Sequence, residues 1–336
     1  MNDTGNSVLE EHEQFWRDHY DWLKGRGYLL RPRYCPGWVA SWLGSNKDPV
    51  HCEDYYYPLH LYNLDETRIR DGKPVMLRQL RSDSRNHCAP VYEILEIPTS
   101  DSDSIERNHI VVMPFLARWN DPEFVTVDEV VDFGQQVFEG LQFMHNLNAA
   151  HNDAKDTNIM MDWFPLYDVP IHAVQSTLTS ALHIRSSIIY HFNDWNLSIK
   201  YDPAMGPPLR APGYGGDQSV PELQRKERCD PFAVDVRFTD GWEELGVPLK
   251  RNVEFLDDRI SDMTQDNPLK RPTMNQVISR FEGIRKQLSW WKLRSRVSNK
   301  SVPLVFHLLY SPVHWITQLT YILRRISPVP DHCRTS

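Results

Sequence analysis

The spacing of apolar positions predicts four helices in the chain. In residues 9–24, large apolar side chains recur at intervals of four and three among charged positions, which is the pattern of an amphipathic helix. The pattern is strongest in residues 126–148, where Thr126 and the glutamate three positions later have the spacing of a capping box. Further helices are predicted in residues 253–263 and 273–291, so helices dominate the second half of the chain.

The region before the strongest helix has the character of strands and loops. DGKPVMLRQL (71–80) begins with a turn signal and continues as a short strand, and EILEI (93–97) and HIVVMPFL (109–116) predict two more. The polar run between the last two strands is typical of a hairpin loop. Residues 26–60 are rich in aromatic residues, proline and glycine, which predicts a packed but irregular segment. A small β-rich region followed by a helical region indicates an α+β fold with a boundary near residues 114–120.

Composition and charge narrow the classes of protein. With 336 residues, of which 40% are apolar, the chain can build a substantial core. Its 37 basic and 45 acidic residues give a net charge of -8, which argues against a general nucleic-acid binder and leaves a local basic groove as the alternative, so we expect no nucleic-acid partner. The five cysteines include no CxxC pair and their number is odd, so we expect a reducing compartment, the cytoplasm or the nucleus. The polar, acidic N-terminus has no apolar stretch typical of a secretory signal.

A polar stretch directly after the strongest helix carries the candidate chemistry. AAHNDAKDTNIMMD (149–162) places His151, Asp153, Lys155 and Asn158 between that helix and a short strand-like run. An aspartate and an asparagine at this separation can lie on one side of a tight loop and face the same phosphate. An ordinary helix-to-strand turn is the alternative, because asparagine and aspartate also favour turns.

Several segments in the same order resemble protein kinases. Residues 151–158 are similar to the catalytic loop H-R-D-x-x-x-x-N of that family. The other similar segments are VMLRQL (75–80) to the third-strand motif, IVVMPFL (110–116) to the fifth strand and hinge, SVPELQ (219–224) to A-P-E, and NPLKRPTMNQVI (267–278) to a late R-P-T motif. Together with GYLLRPRYCPGW, SRNHCAPVYEIL and GYGGDQSVPEL, they resemble a fungal group of protein-kinase-like proteins over most of residues 15–292.

The resemblance implies a bilobed α+β fold and a set of domains. An N-terminal helix and irregular wrap would occupy residues 1–65, and a reduced small lobe would occupy residues 66–116. A larger helical lobe would follow in residues 117–292, and residues 293–336 would form a tail outside the kinase-like region. The implied partner is a protein, either a substrate or a binding partner.

The resemblance also implies roles for individual residues. Asp153 would position or deprotonate the acceptor hydroxyl, and Lys155, typical of Ser/Thr kinases, would stabilise the transferring group. Asn158 and Asp194 would hold Mg²⁺, since Asp194-Trp195-Asn196 stands where kinases have D-F-G. A turn aspartate after a strand is the alternative interpretation of Asp194. ATP would further contact Arg78, Met113 and Phe115.

Four residues have implied structural roles. His151 opens the catalytic loop, and Asp235 in FAVDV is similar to the aspartate that holds this loop by its backbone in kinases. Glu222 and Arg271 are similar to a glutamate and an arginine that form a buried ion pair bracing the large lobe.

The chain departs from the family pattern around the nucleotide. Arg78 stands at the position of the third-strand lysine, and the two side chains are not interchangeable. A solvent-facing cation on a strand is the alternative interpretation of Arg78. No G-x-G-x-x-G precedes residue 75, and only RSDSR follows VMLRQL, which leaves no space for the regulatory helix. Asn152 replaces the catalytic-loop arginine, and the helix after Asp235 is cut short. The sequence leaves open whether these parts were lost from the protein or are missing from the gene model.

These departures leave three interpretations open. The first is ATP-dependent phosphoryl transfer to protein Ser/Thr hydroxyls. In this interpretation the groups that bind the nucleotide are weakened, which puts the binding of both ATP and Mg²⁺ in question. The second is a pseudokinase that acts as an interaction module or scaffold. The third is a small-molecule phosphotransferase, against which the V-P-E and R-P-T segments argue.

Residues 302–326 form an apolar tail on both sides of Pro312. After that proline, one helical face carries Trp315, Ile316, Leu319, Ile322, Leu323 and Ile326, and the other carries His314, Thr317, Gln318 and Arg324. The proline and the histidines argue against a membrane span. Docking onto the domain or a partner and binding to a membrane surface are the other two interpretations.

Overall fold

The computed structural model of the chain describes residues 7–49, 52, 54–55, 85–97, 109–114, 116–162, 188–211, 220–238 and 250–328. The strand predicted in residues 71–80 lies outside the described residues. The chain divides into two compact units, one formed by Met1–Glu66 with Tyr167–His183 and the other by Thr67–Leu166 with Ile184–Ser336.

The first unit begins with two short helices, α1 (Gln14–Asp18) and α2 (Tyr20–Gly25). The sequence predicted one uninterrupted helix here, and that prediction is wrong at His19. Its backbone leaves the helical region, with φ -104° and ψ 8°, and its Nδ1 lies 2.8 Å from the carbonyl oxygen of Phe15, which the helical backbone also uses. The side chain thus competes for the backbone acceptor at the point where the helix breaks.

Buried polar groups hold the irregular part of the first unit together. Arg33 is fully buried and donates to the Glu13 carboxylate at 2.8 Å and to the carbonyl oxygen of Asp54 at 2.9 Å. The Asp54 carboxylate in turn accepts from the backbone N–H of Ser41 at 2.7 Å and from Trp38 Nε1 at 2.9 Å. Residues 26–49 contain no strand, in line with the irregular segment that the sequence predicted. Their polar groups bond within turns and to side chains instead of to a sheet.

The second unit starts with an antiparallel pair of strands, β1 (Glu93–Glu96) and β2 (His109–Val112). Leu95, which is buried, pairs with Ile110. Both strands were predicted, although each is shorter than its apolar run. The connecting residues 98–108 lie outside the part of the chain that is described.

Two small antiparallel sheets surround the polar stretch at 149–162. The first has the order β3–β5–β6, with β3 Ala117–Arg118, β5 Ile159–Met161 and β6 Tyr190–Phe192; the second pairs β4 Ala149–Ala150 with β7 Ile199–Lys200. Residues 151–158 therefore connect β4 to β5, and residues 193–198 connect β6 to β7. Because β4 pairs with β7 and β5 pairs with β6, both loops run between the same two pairs of strands and therefore lie side by side.

The long helix α3 (Val127–Asn146) supports these sheets. It begins with the capping box predicted at Thr126, in which the Glu129 side chain accepts from the Thr126 backbone. One side packs on β6, because Gln136 Nε2 donates to the carbonyl of Ile188 at 3.0 Å and its Oε1 accepts from Tyr190 N at 3.0 Å. A fully apolar helix face could not make these bonds to the strand.

A glycine allows the closest approach of α3 to its neighbours. A Cβ at Gly140 would lie 2.8 Å from His87 Cβ and 2.9 Å from Phe192 Cε2. Both distances are shorter than carbon atoms tolerate, so any side chain at this position would displace the packing.

The remaining elements of the second unit follow in chain order, and the helices Pro231–Phe238 and Met274–Gln287 contact β4 and α3, respectively. These elements are α4 Pro221–Gln224, α5 Pro231–Phe238, β8 Lys250–Arg251, α6 Asp257–Met263, α7 Met274–Gln287, α8 Trp290–Leu293, β9 Ser298–Asn299 and α9 Leu304–Leu323. The helix predicted over 273–291 ends at Gln287, because Leu288 is extended and Ser289 caps the separate helix α8. The mixture of helices and antiparallel strands is an α+β architecture, as predicted.

The tail helix α9 runs through Pro312 without interruption. His314 and Gln318, on the polar face, are buried, whereas Ile316, Leu319 and Leu323, on the apolar face, are exposed. The sequence identified the two faces but not which one contacts the domain. No helix in the described part of the chain is long and apolar enough to cross a membrane.

Candidate functional site

One carboxylate on α5 holds the start of the loop between β4 and β5. Asp235, which is fully buried, accepts from the backbone N–H of His151 at 2.7 Å and from that of Asn152 at 2.6 Å. The ring nitrogen Nε2 of His145, near the end of α3, lies 3.0 Å from the same carboxylate. Short bonds from backbone amides to a buried carboxylate are strong, so Asp235 ties two consecutive residues of the loop to α5.

His151 connects this loop to the loop between β6 and β7. Its Nε2 lies 3.1 Å from the carbonyl oxygen of Asn193, and its ring packs on Trp195 with 4.7 Å between ring centroids. Burial lowers the pKa of His151, although the nearby carboxylate of Asp235 acts in the opposite direction. A neutral, fully enclosed imidazole is suited to positioning the two loops.

Asn152 takes a left-handed backbone conformation, with φ 63°. Asparagine tolerates this region better than most residues. Its Nδ2 donates to the carbonyl of Leu197 at 3.0 Å, and its own carbonyl accepts from Arg210 Nη1 at 3.1 Å. Sequence reasoning treated Asn152 only as a lost arginine and did not identify Arg210, because the contact spans 58 residues with no local signal.

The polar cluster of the loop is centred on Asp153. Its Oδ2 accepts from Asn158 Nδ2 at 2.9 Å and lies 3.3 Å from Lys155 Nζ. Asn158 Nδ2 also donates to the Asp153 carbonyl at 2.8 Å, which leaves the amide oxygen Oδ1 as the acceptor end of that side chain. The other Asp153 oxygen, Oδ1, is buried and makes no hydrogen bond. This oxygen therefore has an unused hydrogen-bond acceptor position, which protein atoms enclose in this structure.

Asp194 lies next to this cluster along the chain that follows β6. The backbone N–H of Asn193 donates to the carbonyl of Asn158 at 2.8 Å, which brings the two loops together. Asp194 itself has a left-handed backbone, with φ 57° and ψ 73°, and its carboxylate accepts from Asn196 N at 3.4 Å. Such a conformation costs free energy for a residue other than glycine, and strained residues are concentrated at functional sites.

The donor set around the two loops suits a magnesium ion only with help from a ligand. Asn158 offers an amide oxygen and Asp194 a carboxylate, and Mg²⁺ is commonly held by one or two carboxylates with substrate phosphates and water. Across the described stretches, no group of three His, Cys, Asp or Glu residues could hold a metal ion by itself. Asn158 and Asp194 are therefore candidate donors for Mg²⁺, which would take its remaining ligands from a phosphate chain and water.

The sequence also singled out Met113, Arg78, Phe115, Glu222 and Arg271. Met113 is half-buried directly after β2. Arg78 and Phe115 lie outside the described residues. Glu222 and Arg271 form an ion pair with two parallel bonds of 2.8 Å, and both side chains are buried.

Arg271 makes further bonds that lock the ion pair in place. Its Nη1 donates to the carbonyl of Ala233 at 2.9 Å and its Nε to that of Gln265 at 2.7 Å. The arginine thereby joins α4, α5 and the segment before α7. Since α5 also carries Asp235, this ion pair supports the helix that holds the candidate loop.

Comparison of the sequence with known proteins does not assign the chain to a family. No protein-family model matches the chain, and no curated protein matches it.

Proposed function

We propose that the chain is a protein-kinase-like phosphotransferase that transfers the γ-phosphoryl group of ATP to Ser/Thr hydroxyls of a protein. The observation that carries this proposal is the cluster at Asp153, with one carboxylate oxygen bonded to Asn158 and near Lys155 and the other oxygen without a partner. The order of matching sequence segments supports the same family.

In this proposal, each residue of the cluster has a defined role. The Asp153 carboxylate accepts the hydrogen bond of the substrate hydroxyl and takes its proton as the bond to phosphorus forms. Lys155, whose ammonium already lies 3.3 Å from Asp153, offsets the negative charge of the transferred group. Asn158 and Asp194 would hold Mg²⁺, which neutralises charge on the phosphate oxygens when it is bound. The bond between the γ-phosphorus and the bridging oxygen breaks, ADP leaves, and the hydroxyl oxygen keeps the phosphoryl group.

A pseudokinase is the second candidate function. The sequence before residue 75 has no glycine-rich loop, and arginine replaces lysine at position 78. Both changes remove groups that bind phosphate, so the same loops could be retained as a scaffold for a protein partner. For either function we propose a cytoplasmic or nuclear setting, which is supported by the free thiols of Cys35, Cys52, Cys88 and Cys229.

Nucleotide binding distinguishes the two candidates. Thermal unfolding of the full chain is measured with ATP, with and without Mg²⁺, for the parent and for Asp194→Ala. A ligand at about a hundred times its Kd adds about 2.7 kcal/mol of stability. We expect a Mg²⁺-dependent rise in melting temperature that is lost in Asp194→Ala; the absence of any rise at saturating ATP would favour the pseudokinase.

Catalysis is then tested by phosphoryl transfer from labelled ATP to a generic Ser/Thr substrate. Asp153→Ala should lower the rate about 10² to 10⁴ fold, the range for loss of a proton-accepting group. Asp156→Ala is the matched control, because it removes an acid three residues away on the same loop and should leave the rate unchanged. Equal rates for the parent and Asp153→Ala would contradict the assigned role.

A further inference from the structure

The polar face of α9 fixes the orientation of this helix on the second unit. Arg294, which is buried, donates from Nη1 to Gln318 Oε1 at 3.0 Å and from Nη2 to the carbonyl of Ile326. The carbonyl of Arg294 lies 2.8 Å from His314 Nε2. The segment around Arg294 is itself held to the start of α3, since Val297 N donates to the carbonyl of Val125 at 2.8 Å. The side of α9 opposite to His314 and Gln318 therefore points outward.

That outward side is almost entirely apolar. We define the outer face of α9 as Val305, Val313, Ile316, Leu319 and Leu323, whose side chains are 56%, 63%, 63%, 50% and 82% exposed. At 100° per residue these positions fall within about a third of the helix circumference. They extend over about 27 Å at 1.5 Å per residue. Exposed apolar side chains gathered on one face of a surface helix mark an interaction site.

Tryptophan side chains continue the stripe on one flank. Trp291 is 60% exposed and its ring lies 5.5 Å, centroid to centroid, from that of Trp315 on α9. Trp290, 38% exposed, packs on Trp291 at 4.7 Å. Tryptophan is enriched where proteins meet the boundary between lipid and water.

The charge of this part of the chain is opposite to that of the rest. Residues 283–330 contain eight basic residues and no Asp or Glu, whereas the remainder contains 29 basic and 45 acidic residues. Arg324 and Arg325, both exposed, directly follow α9. An anionic surface is therefore attracted to this segment although the whole chain is acidic.

We propose that the outer face of α9 lies on the surface of an anionic lipid bilayer, with the helix parallel to the membrane plane. The apolar stripe would enter the boundary of the headgroups, and Arg324 and Arg325 would pair with lipid phosphates or carboxylates. A single exposed helix is a convex ridge, which suits a deformable, flat partner. A second copy of the chain fits less well, because it would bring another segment that is rich in cations and has no acids against this one.

Vesicle sedimentation with the full chain tests the proposal. The probes are phosphatidylcholine vesicles with and without phosphatidylserine, each at low and physiological salt. We expect binding that requires phosphatidylserine and weakens with salt. Ile316→Ser combined with Leu319→Ser should reduce binding at least tenfold, and Arg324→Gln combined with Arg325→Gln about 25-fold, at about fivefold for each cation.

Matched controls separate the outer face from general effects of exposed residues. Leu269→Ser removes an apolar side chain that is 93% exposed elsewhere on the same unit, and Lys47→Gln combined with Arg228→Gln removes two exposed cations. Both should bind like the parent. Circular dichroism of every variant checks that the fold is retained.

Three results would overturn the proposal. The first is a parent chain that does not sediment with phosphatidylserine vesicles. The second is equal binding of the parent and the outer-face variant Ile316→Ser with Leu319→Ser. The third is self-association of the parent in analytical ultracentrifugation that the outer-face variant abolishes, because the outer face would then be covered by a second copy.

Discussion

Replacing Asp235 with asparagine tests whether one carboxylate holds the candidate loop. In the structure the two oxygens accept from two consecutive backbone amides, at 2.7 Å and 2.6 Å. Asparagine has a single acceptor oxygen, so one of the two N–H groups would face the NH₂ end of the new side chain. Each bond to a charged group contributes about 1.5 to 3 kcal/mol, and an unsatisfied buried N–H costs about 1 to 3 kcal/mol.

The combined loss for Asp235→Asn is therefore about 3 to 5 kcal/mol. At about 2 to 4 °C per kcal/mol for a unit of this size, the melting temperature should fall by about 6 to 20 °C in a circular dichroism scan. Asp230→Asn is the control, since Asp230 sits just before the same helix and its carboxylate accepts from Phe232 N. Aspartate and asparagine cap helices equally well, so this variant should melt within about 2 °C of the parent. A fall of less than about 3 °C for Asp235→Asn would refute the reasoning.

Three further predictions concern packing, ionisation and the ion pair. Gly140→Ala should destabilise the protein by about 1 to 3 kcal/mol in denaturant titrations, because the new Cβ would clash with neighbouring atoms. Gly283→Ala, whose Cβ would meet open space, should stabilise the protein by up to about 1 kcal/mol. Equal effects of the two substitutions would contradict the packing argument. Burial, and after it the charge of Glu129, raises the pKa of Asp128 from 3.8 to about 7. Between about pH 4 and pH 7 the folded state therefore keeps a proton that the unfolded state releases. The free energy of unfolding should fall as the pH rises through this range. Asp128→Asn should remove this pH dependence, and an unchanged stability–pH profile would refute it. Glu222→Ala should cost about 3 to 5 kcal/mol by leaving a buried arginine uncompensated; a melting temperature equal to that of the parent would contradict it.

Local sequence patterns correctly predicted those helices and strands whose start or extent depends on residues close together in the chain. The start of α3 follows from Thr126 and Glu129, which are three residues apart and cap the helix by themselves. The two strands β1 and β2 follow from short apolar runs. The break at His19 was missed, because periodicity reports which positions are apolar and not where a side chain competes for a backbone acceptor.

Contacts between segments that are far apart in the chain could not be predicted from local sequence patterns. The bonds from Asp235 to the loop span 83 and 84 residues, and only the resemblance to kinases singled this aspartate out. The Arg210 bond to the Asn152 carbonyl had no sequence signal at all. For α9, periodicity separated a polar from an apolar face, but the side that docks is decided by Arg294, which offers hydrogen bonds that only the polar face can use.

Because Asp235 accepts from the backbone amides of residues 151 and 152, its hold on the start of the loop does not depend on the side chains at these two positions. Position 152 can in principle exchange asparagine for glycine or aspartate, which also tolerate a positive φ, while the two amides stay where they are. Position 155 has no part in the anchoring bonds at all. New side chains can therefore be introduced at positions 152 and 155, by divergence or by protein engineering, without loss of this anchor, provided that position 235 keeps its carboxylate.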